Sequence, residues 1–146
     1  MRARILKSVV VSAALIAALG ACGGDSNDSA GATSNAITGS MNEWTIKTDA
    51  STAKAGEVVF TVTNDGTIGH EFLVVKTDIA VGDIPLDGDH FAEPGEGIDV
   101  VDEIGEFAKG TTETLTLNLE PGNYQLVCNL PDHYSAGMHT AFTVVA

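Results

Sequence analysis

Basic residues are scarce in this 146-residue sequence, which has 7 Lys and Arg against 20 Asp and Glu and a formal net charge of −13. Three of the seven, Arg2, Arg4 and Lys7, lie at the very start, so the remainder carries 4 − 20 = −16. This balance excludes nucleic acid and anionic lipid as natural partners, since both recruit clustered cations. It favours basic protein partners, although a charge that only confers solubility explains the composition equally well.

Long apolar runs are also missing, apart from residues 9–19, which are too few to span a bilayer stably. Because basic residues precede this run, we predict a signal peptide over residues 1–21. It ends in Leu19-Gly20-Ala21-Cys22, which resembles the bacterial lipobox, a motif whose Cys is lipidated and becomes the new N-terminus. The resemblance implies an extracytoplasmic lipoprotein anchored to the bacterial cell membrane through Cys22. The alternative is an ordinary secretory signal in which Cys22 is incidental.

Cysteine is almost absent, with Cys22 and Cys128 the two examples. If Cys22 is lipidated, Cys128 is the sole thiol in an oxidising compartment, where unpaired cysteines are a liability. A disulfide between the two is the competing explanation, but it would join a membrane-proximal terminus to a residue deep in the last hairpin. Metal ligation explains the single thiol better.

Residues 22–40 contain almost no large apolar side chain and therefore cannot offset the entropy of ordering. We predict that they form a flexible tether with a root-mean-square reach of about 25 Å. The remaining residues, 41–146, are the size of one domain.

This domain shows apolar residues with period two in short bursts divided by turn residues, and it lacks a helical stripe. The pattern predicts an all-β, antiparallel β-sandwich. Residues 78–109 interrupt the rhythm with ten acids, and only Ile98–Val101 is apolar enough to pair or dock. A loop of this length is usually functional or mobile, and a short helix or strand inside it is compatible with the pattern. The expected strands are 43–48, 57–63, 70–77, 112–119, 122–128 and 140–146.

Three potential metal ligands, Cys128, His133 and Met138, follow one another at five-residue steps before the last strand. Thiolate, imidazole and a weak axial thioether are the donors of electron-transfer copper sites, which need a second imidazole. Pro131 stiffens this loop, and Gly137 lets the backbone turn back towards a metal.

His70 is the best candidate for the second imidazole, because it follows the turn-rich residues 64–69 and begins a strand at the same end of the sandwich. His90 lies in the acidic segment and is expected to be exposed. His139 follows Met138 and should point away from it, so we expect it beside the site or on the surface.

The chain now resembles the cupredoxins, the small blue copper proteins, over nearly all of residues 43–146. The resemblance rests on Asn64-Asp-Gly-Thr-Ile-Gly-His70-Glu-Phe, on Leu119-Glu-Pro-Gly-Asn-Tyr-Gln-Leu-Val-Cys128, and on His133 and Gly137-Met138. The ligand spacing is similar to that of the rusticyanin and sulfocyanin branch. It implies a Greek-key sandwich holding one copper ion, with His70, Cys128 and His133 as equatorial ligands and Met138 as the axial ligand. One departure is Glu71, where many members have Asn or Ser joining the two ligand loops.

The resemblance implies outer-sphere electron transfer rather than catalysis. Electrons would pass through His133, amid an apolar patch from Leu130, Pro131, Tyr134 and Ala136, to a partner such as a cytochrome c or an oxidase subunit with a basic docking face.

A copper enzyme would need further His-rich copper motifs, which this sequence lacks. Copper binding and delivery in copper homeostasis is the main alternative, although three Met residues are few for it. A metal-free adhesion or scaffold module would make the ligand order a coincidence.

Overall fold

A computed structural model of the protein describes residues 35–146, which form nine β-strands in two sheets. In these residues no helix has the length and apolar character needed to cross a membrane. The strands are β1 (Ala36–Asn42), β2 (Thr45–Thr48), β3 (Thr52–Lys54), β4 (Gly56–Asn64), β5 (His70–Lys76), β6 (Asp99–Phe107), β7 (Thr112–Leu119), β8 (Gly122–Val127) and β9 (His139–Val145).

The first sheet has the strand order β2-β1-β4-β7 and the second has the order β3-β9-β8-β5-β6. The prediction of an all-β sandwich is confirmed. Both sheets are mixed rather than wholly antiparallel, because β1 pairs in parallel with β4 and β3 pairs in parallel with β9. The other pairs are antiparallel.

Period-two alternation builds the core between the sheets. In β4 the side chains of Val58, Phe60 and Val62 are buried, and those between them are only partly covered. The ring of Phe60 packs against Phe72 from β5 and Phe142 from β9, with centroids 5.5 and 5.4 Å apart. Burying each such ring contributes about 1.5–3 kcal/mol of hydrophobic free energy.

The start of the domain differs from the sequence prediction. Residues 36–40, which were predicted to belong to the tether, are part of strand β1. The first strand predicted over residues 43–48 corresponds to β2, the second strand of the hairpin that β1 begins. Ile37 and Met41 alternate with exposed positions in β1 and enter the core, but Gly39 and Ser40 between them concealed the pattern. The predicted signal peptide over 1–21, Cys22 and the rest of the tether to residue 34 lie outside the described residues.

The acidic segment 78–109 is more structured than its composition indicates. Residues 99–107 form β6 at the edge of the second sheet, antiparallel to β5. Its acids point into solvent, whereas Phe107 is buried in the core and Ile104 and Val100 pack against the two apolar clusters. Backbone pairing and these few apolar contacts together explain this strand.

Residues 78–98 cover the outer face of the second sheet. Ile84, Phe91 and Ile98 are buried there, and the ring of Phe91 packs edge-to-face on Tyr134. They form a second apolar cluster, whose sheet and loop members are Leu73, Val75, Val127 and Tyr134. Strand β5 is therefore buried on both faces.

The four edge strands are either short or charged. Strands β2 and β3 have four and three residues and carry Lys47 and Lys54. Glu113 lies in β7, and β6 exposes Asp102, Glu103 and Glu106.

Candidate metal centre

His70, Cys128 and His133 meet at one end of the sandwich. One donor atom from each lies within 4.8 Å of the other two. His133 Nδ1 is 3.3 Å from both Cys128 Sγ and His70 Nδ1. His70 and Cys128 are fully buried, whereas His133 is 8% exposed. The two Nδ1 atoms and the sulfur thus face a common point, with His133 nearest to solvent.

The turn before β5 sets the position of His70. The Asn64 amide, at the end of β4, donates to the carbonyls of Ile68 and Phe107 at 2.8 and 3.1 Å. Its oxygen accepts the N–H of Gly66 at 3.0 Å. These bonds hold residues 65–69 closed, so that β5 begins at the site.

Backbone hydrogen bonds close the loop from Cys128 to Met138. Cys128 N–H donates to the carbonyl of Met138 at 3.0 Å, and Met138 N–H donates to the carbonyl of His133 at 3.1 Å. Gly137 has φ +113°, a conformation that L side chains rarely adopt. Met138 is fully buried in the same apolar cluster as Cys128. The loop therefore holds its Cys, His and Met at the same end of the core.

Burial keeps the metal-free donors uncharged. It raises the pKa of the Cys128 thiol to about 11 and lowers the pKa of His70 and of His133. Among residues 35–146, Cys128 has no disulfide partner. One thiolate and one imidazole from this loop, together with the imidazole of His70 from β5, form a buried donor set that fits copper, which would supply one-electron chemistry when bound.

Glu71 joins the two ligand segments. Its carboxylate accepts the N–H of Asn129, the residue after Cys128, at 2.8 Å. The N–H of Glu71 in turn lies 3.5 Å from Cys128 Sγ and points at it. Burial raises the pKa of Glu71 to about 7. Although Glu71 differs from the Asn or Ser that was expected at this position, it therefore still links the two ligand loops, with its carboxylate as the hydrogen-bond acceptor.

Asn129 connects the site to the acidic segment. Its side-chain amide exchanges two hydrogen bonds of 2.9 Å with the backbone of Phe91 and also donates to the carboxylate of Glu93. The N–H of Asp132 donates to the carbonyl of Asp89 at 2.8 Å. Residues 89–93 are thus fixed directly against the loop that carries Cys128 and His133.

Sequence reasoning missed two residues beside the site, Glu43 and Trp44, which form the turn between β1 and β2. Glu43 Oε1 lies 3.5 Å from His70 Nε2. The Trp44 ring meets His133 edge-on at a centroid distance of 4.9 Å and remains 42% exposed. They reach the site because β1 pairs with β4, a contact that no sequence spacing indicates.

The remaining histidines lie apart from the donor cluster. His90 is exposed, as expected, and pairs with Asp89. His139 is half-buried next to Tyr134, with ring centroids 4.9 Å apart. Tyr134 itself is buried, so its predicted place in a surface patch is wrong: its ring packs beneath the acidic segment.

Comparison with solved structures agrees with this fold. The chain is similar to a reduced auracyanin from the photosynthetic bacterium Roseiflexus castenholzii, with 23% identity, 79% of this chain and 100% of that chain covered, and a TM-score of 0.61. It is also similar to auracyanin B, with 18% identity, 76% of this chain and 88% of that chain covered, and a TM-score of 0.57. Rusticyanin from Thiobacillus ferrooxidans is 19% identical, with 75% of this chain and 75% of that chain covered and a TM-score of 0.52.

No curated protein sequence matches the chain. A family model described as copper binding proteins of the plastocyanin/azurin family matches residues 33–145. Together with the convergence of His70, Cys128 and His133, this match identifies copper as the cofactor. The chain belongs to the plastocyanin/azurin family of copper-binding proteins, the cupredoxins.

Proposed function

We propose that the protein carries single electrons between redox partners and catalyses no reaction of its own. His70, Cys128 and His133 would hold the copper ion, and Met138 would be the fourth ligand. The observation that carries the proposal is the convergence of three donors, two from the closed loop and one from the start of β5, within 4.8 Å of one another. Copper held there would supply one-electron redox chemistry, so that the protein could accept one electron from a reduced partner and pass it to an oxidised one.

The rigidity of the site supports electron transfer. The donors come from two segments that Glu71 joins, and the loop is closed by its own backbone bonds. A geometry that both oxidation states tolerate requires little movement when an electron passes.

His133 is the route by which electrons enter and leave. Among the donors assigned to copper it has the greatest contact with solvent. Exposed apolar side chains lie around it: Trp44 on its ring, and Pro131 and Ala136 in its own loop. Trp44 thus occupies the place in the patch that was predicted for Tyr134. A partner that docks here brings its redox centre closest to the copper.

The partner is a redox protein with a basic docking face, such as a cytochrome c or an oxidase subunit. The acidic segment supports this choice, because Asn129 and Asp132 hold residues 89–93 beside the copper loop. Its carboxylates can therefore orient a cationic surface over His133.

We place the protein outside the cytoplasm, attached to the membrane by a lipid on Cys22. The support is the sequence pattern alone: a short apolar run after three basic residues, ending in Leu-Gly-Ala-Cys. Mass spectrometry of the protein purified from its membrane tests this, since a diacylglycerol on an N-terminal Cys22 is expected. An unmodified Cys22 within an intact chain would contradict it.

Addition of Cu(II) to the purified, metal-free protein tests the copper site. We expect an intense visible thiolate-to-copper band that is abolished by Cys128→Ser. Ser135→Ala, at an exposed position in the same loop as Cys128, is the control and should leave the band in place. Absence of the band, or a band that survives Cys128→Ser, would refute the ligand assignment.

Voltammetry separates an electron carrier from a copper-delivery protein. A carrier should give a reversible one-electron wave and retain its copper through repeated reduction. Loss of copper on reduction to a competing Cu(I) chelator would favour delivery instead.

A further inference from the structure

His70 has a second ring nitrogen that the copper site does not use. With Nδ1 facing Cys128 and His133, Nε2 points away from the donor cluster. This atom is buried and has no hydrogen-bond partner among residues 35–146. An imidazole that ligates a metal through Nδ1 carries its proton on Nε2, and such a proton needs an acceptor.

Glu43 supplies a carboxylate at the required place. Its Oε1 is 3.5 Å from His70 Nε2, slightly beyond hydrogen-bond distance. The same oxygen accepts the N–H groups of Thr67 and Ile68 at 2.7 and 3.1 Å. These bonds fix the carboxylate against the turn that precedes His70, so a small movement of either side chain closes the contact.

Gly66 keeps the path between the two groups open. A Cβ added at this position would lie 2.7 Å from Glu43 Oε1 and 2.8 Å from His70 Nε2. Any side chain would therefore stand between the carboxylate and the imidazole. The turn therefore supplies two N–H donors that hold the Glu43 carboxylate, and at position 66 it has glycine, the only residue type that leaves room for the contact between Glu43 and His70.

We propose that Glu43 is a positioning residue for the copper ligand His70: its carboxylate accepts the Nε2–H, fixes the tautomer that presents Nδ1 to the metal, and favours Cu(II) over Cu(I). The inference rests on the proposed ligand set. A negative charge on the far side of the ring makes the imidazole a stronger donor, which stabilises the higher oxidation state. Metal-ligating histidines commonly pair with a carboxylate in this way.

The copper redox potential tests the charge of Glu43. Glu43→Gln keeps an oxygen for the N–H groups of Thr67 and Ile68 but removes the charge. At fixed electrode potential we expect about a tenfold higher ratio of Cu(I) to Cu(II), a rise of about 59 mV for one electron. Glu43→Ala should raise the potential at least as far, and Glu43→Asp should restore part of the difference. Glu57→Gln, the same charge change at the opposite end of β4, is the matched control.

A rise with Glu43→Gln no larger than with Glu57→Gln would overturn the proposal. The visible band distinguishes this failure from failure of the ligand set, because a wild-type protein without the thiolate band lacks the assumed site altogether.

Nitrogen NMR of the diamagnetic Cu(I) form of the wild-type protein gives a test that needs no variant. We expect His70 Nε2 to carry a proton that exchanges slowly with water and gives a shift typical of a hydrogen-bonded N–H. A deprotonated Nε2, or a proton on Nδ1, would refute the role of Glu43 even if its variants failed to fold.

Discussion

Glu71 illustrates how one side chain can hold two ligand segments together. Its carboxylate accepts the N–H of Asn129, and its own N–H faces the sulfur of Cys128. Both contacts lie between β5 and the loop after β8. A change at this residue therefore acts on the site without removing a copper donor.

We expect Glu71→Ala to destabilise the metal-free protein by about 1–3 kcal/mol, because the N–H of Asn129 loses its acceptor in a half-buried position. Glu71→Gln retains an amide oxygen and should cost less. Urea denaturation of both variants measures the difference. Equal stability of Glu71→Ala and wild type would show that the hydrogen bond to Asn129 contributes nothing.

The sequence predicted the residues that carry copper chemistry better than those that support them. Cys128, His133 and Met138 share one loop, so donor type and spacing identified them together. His70 was found because a strand start after a turn is visible locally. Glu43 and Trp44 gave no such signal, since their proximity to His70 and His133 depends on pairing between β1 and β4.

At the scale of elements, the segment 78–98 acts as a cover for the second sheet. It buries Ile84, Phe91 and Ile98 against β5 and β8, and it contacts the copper loop through Asn129. The segment is therefore part of the fold as well as the carrier of acidic side chains.

Phe91→Ala tests this role. Phe91 is fully buried, so its truncation should lower the free energy of unfolding by about 3–5 kcal/mol. Leu86→Ala, in the same segment but 42% exposed, is the control and should change stability by about 0.5 kcal/mol or less. Urea denaturation of the metal-free variants provides both values. Similar midpoints for the two would mean that the segment does not pack on the sheet.

Elements with clear alternation, such as β4 and β7, were predictable from sequence, whereas β1 and β6 were not. Small polar residues interrupt the apolar positions of β1. Strand β6 is an acidic edge strand held by its backbone bonds to β5 and by the irregularly spaced apolar side chains of Val100, Ile104 and Phe107. Neither a parallel neighbour nor a backbone partner can be inferred from local composition.

At the scale of the whole molecule, the acidic charge of the chain should govern encounters with partners. We expect electron transfer to a basic cytochrome c to slow by roughly tenfold as salt rises from about 10 mM to about 150 mM, because screening removes electrostatic steering. Stopped-flow kinetics measure the rate.

Transfer to ferricyanide, a small anion, is the control and should accelerate over the same range because screening relieves repulsion. Rates with cytochrome c that do not change with salt would contradict docking through the acidic face.

The charged edges of both sheets have a consequence for the protein at high local concentration. An exposed edge strand can pair with the edge of another copy, which extends a sheet from molecule to molecule and leads to aggregation. Here β2 and β3 are too short to offer much pairing and each carries a Lys, while β6 exposes a row of acids that two copies would bring together. The edges formed by β2, β3 and β6 thus disfavour aggregation, even where many copies share a small area.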